Sequence, residues 1–487
     1  VTELHELSAL EQAAAVRARE VSPVELVDHH LDRIERLDSL LFAFVTMTAE
    51  QARAQAKEAE QAVLSTPDEL PPLHGVPTAI KDLTITRDAP TAFGSRALLG
   101  FQSPVNAHAV TALRRAGLIS LGKTATPEFG LTAHSETDFG VETRTPWNVR
   151  YSAGGSSGGA GAAVAGGFVP IAQGSDGGGS IRIPASVCGL VGLKPSWGRV
   201  SDGPTPPDAT RLSVRGVLTR TVRDSAAGLD ALVAYKPGSL VPIAGPDGSF
   251  LAQADREPGR LRIGRFTAAP SGVDVDPECV RAVDVATELL VGAGHVVEEI
   301  EPPAGPALTD AFLKVWALLA AAAPVPADKE LLLRPVTRML RERGAGIGGA
   351  EALGLLAALQ GAARPIIDRT AEYDVVLCPT LAMPPRPAGW FTEADDPVEE
   401  FERTMRFVAF TPVQNVTGQP AVSLPVHWTA DGLPVGVMLV GRPADEATLI
   451  SLSAQLEAAS GWVHQRPELP PRESRCGAHR NVRTEQN

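Results

Sequence analysis

Residues 154–161 read GGSSGGAG and residues 174–180 read GSDGGGS. The chain between and around them constrains the fold more than any other part of the sequence. AGAAVAGGF (160–168) suits a helix of small residues packed at close quarters, and VPIAQGS (169–175) suits a strand. A glycine–serine stretch alone is more often a loop than a site. GGGS, however, runs straight into IRIP, whose Ile181, Ile183 and Pro184 need a packed setting. Three glycines before a serine let successive backbone N–H groups point into one small space, which is what an oxyanion requires.

The flanking sequence alternates strand and helix. GVPTAIKDL reads as a strand, VTALRRAG as a helix closed by Gly117, and LISLGKT as a strand. ASVCG, after Pro184, reads as a short helix and LVGLKP as a strand. LRIGRF, DPECVRAVDVATELLVGAG and HVVEEI form a strand–helix–strand crossover. YDVVLCPT and AVSLPV return to strand, and 308–365 reads as mostly helical. The first 65 residues or so read as helical, with Ser22 as N-cap and Pro23 in the first turn of SPVELVDHHLDRIERLD. The pattern predicts an α/β fold.

Composition excludes several classes. Hydrophobic residues make up 44% and charged residues 21%, as in an ordinary globular protein. A net charge of −13 without a Lys/Arg cluster argues against nucleic acid. The four cysteines are scattered, which suits reduced thiols in the cytoplasm better than a disulfide frame or a zinc site. The ten histidines are dispersed, with no H-E-x-x-H, so no metal and no cofactor is expected. The amino-terminal stretch lacks a signal-like apolar run, and no uncharged run is long enough to span a bilayer.

The familiar glycine motifs fail. GGSSGGAGAAV has no P-loop lysine, and the sixth position of a dinucleotide fingerprint begun at Gly159 is Val164. G-x-S-x-G matches at Ser156 and at Ser157, but RTPWNVRYSA in front of them is not a strand. No histidine occurs between His134 and His295 to serve as a base nearby. Lysine can act as a base when burial keeps its amine neutral. Lys81 ends an apolar strand, and on its own this position is read first as a strand end reaching solvent.

LHGVPTAIKD, SAGGSSGGAGAAVAGG and GSDGGGSIRIPASVCGLVGLKPSWGRVS resemble the amidase signature family. TALRRAGLISLGKTATPEFG, GVLTRTVRDSA, FTPVQNVTGQPAVSLP and GLPVGVMLVGRPADEATLI support the resemblance, which spans about residues 20 to 465. It implies one large domain over 1–470, with a central mixed β-sheet covered by helices on both faces. The catalytic core falls at about 70–230, a variable substrate-pocket part at about 231–400, and a polar tail at 471–487. It further implies a triad in which Ser180 is the nucleophile, Ser156, preceded by a cis peptide bond, is the relay, and Lys81 is the base. The backbone amides of Gly177, Gly178, Gly179 and Ser180 would form the oxyanion hole.

Asp176 and Arg182 are read as a structural ion pair, Ser157 and Ser175 as hydrogen-bonding supports, and Cys188 as a buried small hydrophobe. Gly177 departs from the family's usual Thr, Ile or Ala, which would loosen the loop or make room for substrate. Thr145 replaces a usual Asn and Val217 a common Pro. The implied function is a cytoplasmic amidase acting on linear carboxylic amides, with esters as a further substrate class. The alternative is the glutaminase subunit of a tRNA-dependent amidotransferase. The expected partner is a small-molecule amide, with a homodimer compatible and neither nucleic acid nor membrane involved. Leu308, Phe312, Val315, Trp316, Leu318 and Leu319 are expected on one helical segment that either lines an apolar pocket or belongs to the core.

Overall fold

Apolar side chains alternate between two buried faces, and this sets the sheet. Ala79 joins one core cluster and Ile80 the other; Ala172 and Ile171 divide in the same way, as do Leu218 and Val217. Strands buried on both sides need helices on both sides. The computed structural model describes residues 3–469 except 138, 140, 141, 239, 240 and 242, so the tail expected at 471–487 lies outside the described residues.

Eleven strands form one sheet: β1 (Phe44–Met47), β2 (Pro77–Lys81), β3 (Ile119–Thr124), β4 (Ile171–Asp176), β5 (Val191–Lys194), β6 (Val214–Thr219), β7 (Arg262–Arg265), β8 (Val296–Glu299), β9 (Val375–Pro379), β10 (Ala421–Trp428) and β11 (Pro434–Gly441). Their order is β1-β3-β2-β4-β6-β5-β10-β11-β9-β7-β8. β2 runs parallel to β3 and β4, and β7 runs parallel to β8 and β9, while the other pairs are antiparallel. The fold is therefore the expected α/β architecture with a mixed central sheet. Helices Pro23–Leu41, Ala49–Ser65, Gly158–Ala165 and Arg182–Cys188 supply residues to one core; His108–Arg115, Val222–Val233, Pro277–Gly292 and Glu446–Ser460 supply the other.

Local signals account for several boundaries. Ser22 accepts from the Glu25 amide and Glu25 accepts from the Ser22 amide, a reciprocal cap with Pro23 in the first turn. Two readings need correction. The first 65 residues are not all helical, because β1 intervenes and pairs with β3. The short helix expected after Pro184 begins at Arg182, with Pro184 inside its first turn, where a missing N–H costs no hydrogen bond.

Because β2 and β4 are parallel neighbours, Lys81 and Asp176 finish at the same edge of the sheet. Ligands of α/β sheets bind outside the carboxyl ends of parallel strands. The GGGS loop leaves from this edge, and the small-residue helix Gly158–Ala165 packs beneath it.

Gly159 shows why that helix is made of small residues. A Cβ there would sit 2.3 Å from Ala125 N and 2.5 Å from Ala43 O. Glycine to alanine ordinarily stabilises a helix by about 1 kcal/mol. Here Gly159→Ala should destabilise instead, by about 1–3 kcal/mol, because backbone must move. Urea unfolding checks this; an unchanged or raised midpoint would contradict the packing.

Candidate active site

Lys81 ends a strand that is buried throughout, and its side chain is 0% exposed. Lys81 Nζ lies 2.8 Å from Ser156 Oγ, 3.1 Å from Ser175 Oγ and 3.4 Å from the Ser175 carbonyl oxygen. No carboxylate among the described residues is within ion-pair distance of it. Burial, then the nearby Arg215 charge, push its pKa well below the ordinary lysine value, while Asp176 opposes the shift. The alternative of a strand end reaching solvent is thus excluded. The next residue, Asp82, pairs with the buried Lys123 at 3.2 Å. Lys123 also donates to the Thr84 carbonyl and the Thr91 hydroxyl, which pins the chain just beyond Lys81.

The two glycine–serine stretches meet here. The Gly155–Ser156 peptide is cis. The Ser157 amide donates to the Ser180 carbonyl at 3.2 Å, joining one stretch to the other. Ser157 Oγ donates to the Ser175 carbonyl at 3.2 Å. No strand leads into Ser156, which agrees with setting aside a nucleophile elbow. Ser180 is 7% exposed.

The loop from Asp176 to Arg182 is held by charge and amide hydrogen bonds. Arg182 and Asp176 are both fully buried and joined by two bonds of 2.9 Å. Burial alone would raise the Asp176 pKa; the Arg182 guanidinium outweighs it and holds the carboxyl below the usual range. Asp176 also accepts from the Gly179 amide at 2.8 Å and the Ile181 amide at 3.2 Å. The Gly179 N–H, expected among the oxyanion donors, is therefore engaged within the loop. Asn415 donates to Asp176 and to the Leu212 carbonyl, and Thr411 Oγ1 donates to the Gly178 carbonyl at 2.7 Å. Sequence reading did not single out Thr411, Gln414 or Asn415; FTPVQNVTGQP held them, more than 200 residues from the loop they brace.

The helix Pro306–Ala322 covers the loop. Phe312 and Trp316 stack at 5.2 Å, and Trp316 Nε1 donates to the Leu131 carbonyl. A Cβ on Gly177 would lie 3.4 Å from the Trp316 ring. The space expected to loosen the loop or admit substrate at Gly177 is bordered directly by Trp316. Thr145 donates to the Val187 carbonyl at 2.9 Å, and Cys188 is buried with its thiol pushed up to about 12, so it is not a reactive thiolate. The dispersed histidines need one correction: Glu3, His5 and His29 place ligand atoms within 4.8 Å of one another, but none of the three contacts Lys81 or the serines.

The site thus sets a buried amine on one serine hydroxyl, with a second serine behind a run of glycines. The Amidase family model matches residues 25–450. The chain belongs to the amidase family, and its activity class is amide hydrolysis. It is 34% identical over 487 residues to the 6-aminohexanoate-cyclic-dimer hydrolase of Paenarthrobacter ureafaciens, covering 95% of this chain and 96% of the relative. The solved structure of a 6-aminohexanoate cyclic dimer hydrolase complexed with substrate superposes with a TM-score of 0.88 at 30% identity, over 96% of this chain and 100% of the other. A bacterial aryl acylamidase gives a TM-score of 0.84 at 27% identity, over 95% and 98%. No helix among the described residues is long and apolar enough to cross a membrane.

Gly179 has φ +130°, and a Cβ there would fall 2.2 Å from Thr411 Oγ1. Gly179→Ala should therefore displace Ser180 and cost at least about 10²-fold in kcat, comparable to losing an oxyanion donor. Gly177→Ala meets only ordinary contact with Trp316 and should cost less than about tenfold on the same scale. Equal losses in steady-state assays would contradict this geometry.

Proposed function

We propose that this chain hydrolyses carboxylic amides through an acyl-enzyme on Ser180, with Ser156 as relay and Lys81 as base. Ser180 Oγ attacks the amide carbon. Its proton passes to Ser156 Oγ, whose own proton passes to Lys81 Nζ. The proton returns by the same route to the departing amine, and water then releases the acid. The amides of Gly177, Gly178 and Ser180 are the oxyanion donors in this reading, with Gly179 holding the loop through Asp176. The observation that carries it is the 2.8 Å contact between a buried, uncompensated lysine amine and Ser156 Oγ. Three buried free thiols, Cys188, Cys279 and Cys378, support a reducing, cytoplasmic setting.

Ser180→Ala should lower turnover by on the order of 10⁶ with the fold retained. A variant keeping a few per cent of activity would move the nucleophile elsewhere. The base must be neutral, so activity should be lost as pH falls through the Lys81 pKa. It should level off above that value, with the limb well below the ordinary lysine range. Lys81→Arg should be nearly inactive, since guanidinium does not deprotonate in a protein. A flat pH–rate profile down to mildly acidic pH, where chemistry limits turnover, would count against Lys81.

The acyl group in this reading is neutral and apolar. Phe312 and Trp316 stand directly over the glycine loop: a Cβ on Gly178 would lie 3.2 Å from the Phe312 ring and one on Gly177 3.4 Å from the Trp316 ring. A glutamine side chain would bring an α-carboxylate and an α-amine to these apolar walls, at a high desolvation cost. kcat/KM for a medium-chain fatty amide should exceed that for glutamine. A preference for glutamine of about tenfold, roughly 1.4 kcal/mol of transition-state binding, would favour the glutaminase subunit instead.

A further inference from the structure

Arg215 of β6 stands opposite Ser175 of β4 in the antiparallel ladder. Residues paired in this way send their side chains to the same face of the sheet. Ser175 Oγ is the group 3.1 Å from Lys81 Nζ, so Arg215 faces a direct neighbour of Lys81 across the ladder, with β4 between its strand and that of Lys81. Arg215 lines a groove of about 730 Å³ with His108, Trp197, Asp202, Asp208 and Arg211. That volume is typical of a small-molecule site.

His108, Asp202, Asp208 and Arg211 of the groove each have a partner. His108 Nδ1 lies 2.8 Å from Ser201 Oγ. Asp208 accepts from the Thr210 amide, the Thr210 hydroxyl and the Ser213 amide. Asp202 accepts from the Asp208 amide at 3.4 Å, and Arg211 lies over the Trp197 ring at 4.9 Å. The Arg215 guanidinium has no hydrogen bond, ion pair or ring contact with any described residue, whereas Arg211 at least rests on the Trp197 ring. A partly buried guanidinium with its donors unused is costly, and a carboxylate satisfies it through two parallel N–H···O bonds.

We infer that the groove at Arg215 receives a carboxylate carried by the amine portion of the substrate, making Arg215 a specificity-determining residue. The inference rests on the amide-hydrolase reading, with the apolar acyl group against Phe312 and the anionic amine portion in the groove. The favoured substrates are then N-acylated amino acids rather than simple alkylamides.

The test compares kcat/KM for an N-acyl amino acid with that for the N-acyl alkylamine of equal length lacking the carboxylate. The wild type should favour the anion by at least about tenfold, and Arg215→Gln should cut that ratio by at least about tenfold. Arg215→Glu should reverse it. Partial misfolding lowers both rates and cancels in the ratio. A wild-type ratio below tenfold, or one that survives Arg215→Gln, overturns the inference. So does an equal loss on both substrates, which would mean that Arg215 acts only on the Lys81 charge. Cleavage of the neutral alkylamide by the wild type reports on the amide-hydrolase reading separately. Calorimetric binding of the N-acyl amino acid to Ser180→Ala, with and without Arg215→Gln, reads the carboxylate contact without turnover; affinity unchanged by the second substitution overturns it.

Discussion

The site depends on burying the Lys81 amine without a counter-charge. A charged amine taken out of water needs a carboxylate or heavy hydrogen bonding to remain charged. Among the described residues Lys81 Nζ meets only two hydroxyls and one carbonyl. Its cheapest state is therefore the neutral one, which accepts a proton. The neighbouring lysine shows the contrast: Lys123 is equally buried but has Asp82 at 3.2 Å. Two buried lysines on adjacent parallel strands thus differ, one paired with a carboxylate and bracing the chain, the other set against hydroxyls.

The second requirement is a rigid loop at Ser180. Three glycines in a row favour disorder, since each loses much backbone entropy on folding. Asp176 offsets this by collecting the Gly179 and Ile181 amides together with the Arg182 guanidinium and Asn415. The ion pair is wholly buried and made with good geometry, the condition under which such a pair supports structure rather than weakening it. Thr411 holds the loop from the other side by bonding the Gly178 carbonyl. The glycines let backbone come close, and the charges outside them remove the freedom that the glycines bring.

Much of this was legible in the residues. GVPTAIKDL and LISLGKT alternate toward two cores, so β2 and β3 declare themselves, and GGGS before IRIP marks a packed loop. Other parts carry no local signal. β1 is four residues lodged between two helices, and its strand nature comes from pairing with β3. Arg215 interrupts the apolar run of β6, and its meaning appears only when Ser175 is placed across from it. Thr411, Gln414 and Asn415 act on residues more than 200 positions earlier, a proximity that periodicity does not encode. The triad is what the family resemblance implies; the hydrogen bonds between the two serine stretches show how the fold brings those stretches together.

The central claim is that Ser180, and no other serine near Lys81, becomes acylated. Its most direct test is to label the full-length protein with a fluorophosphonate and locate the adduct by peptide mass spectrometry. The expected result is a single adduct on Ser180, formed faster as pH rises through the Lys81 titration. An adduct on Ser156, Ser157 or Ser175, or no serine adduct in protein that turns over an amide, would contradict it.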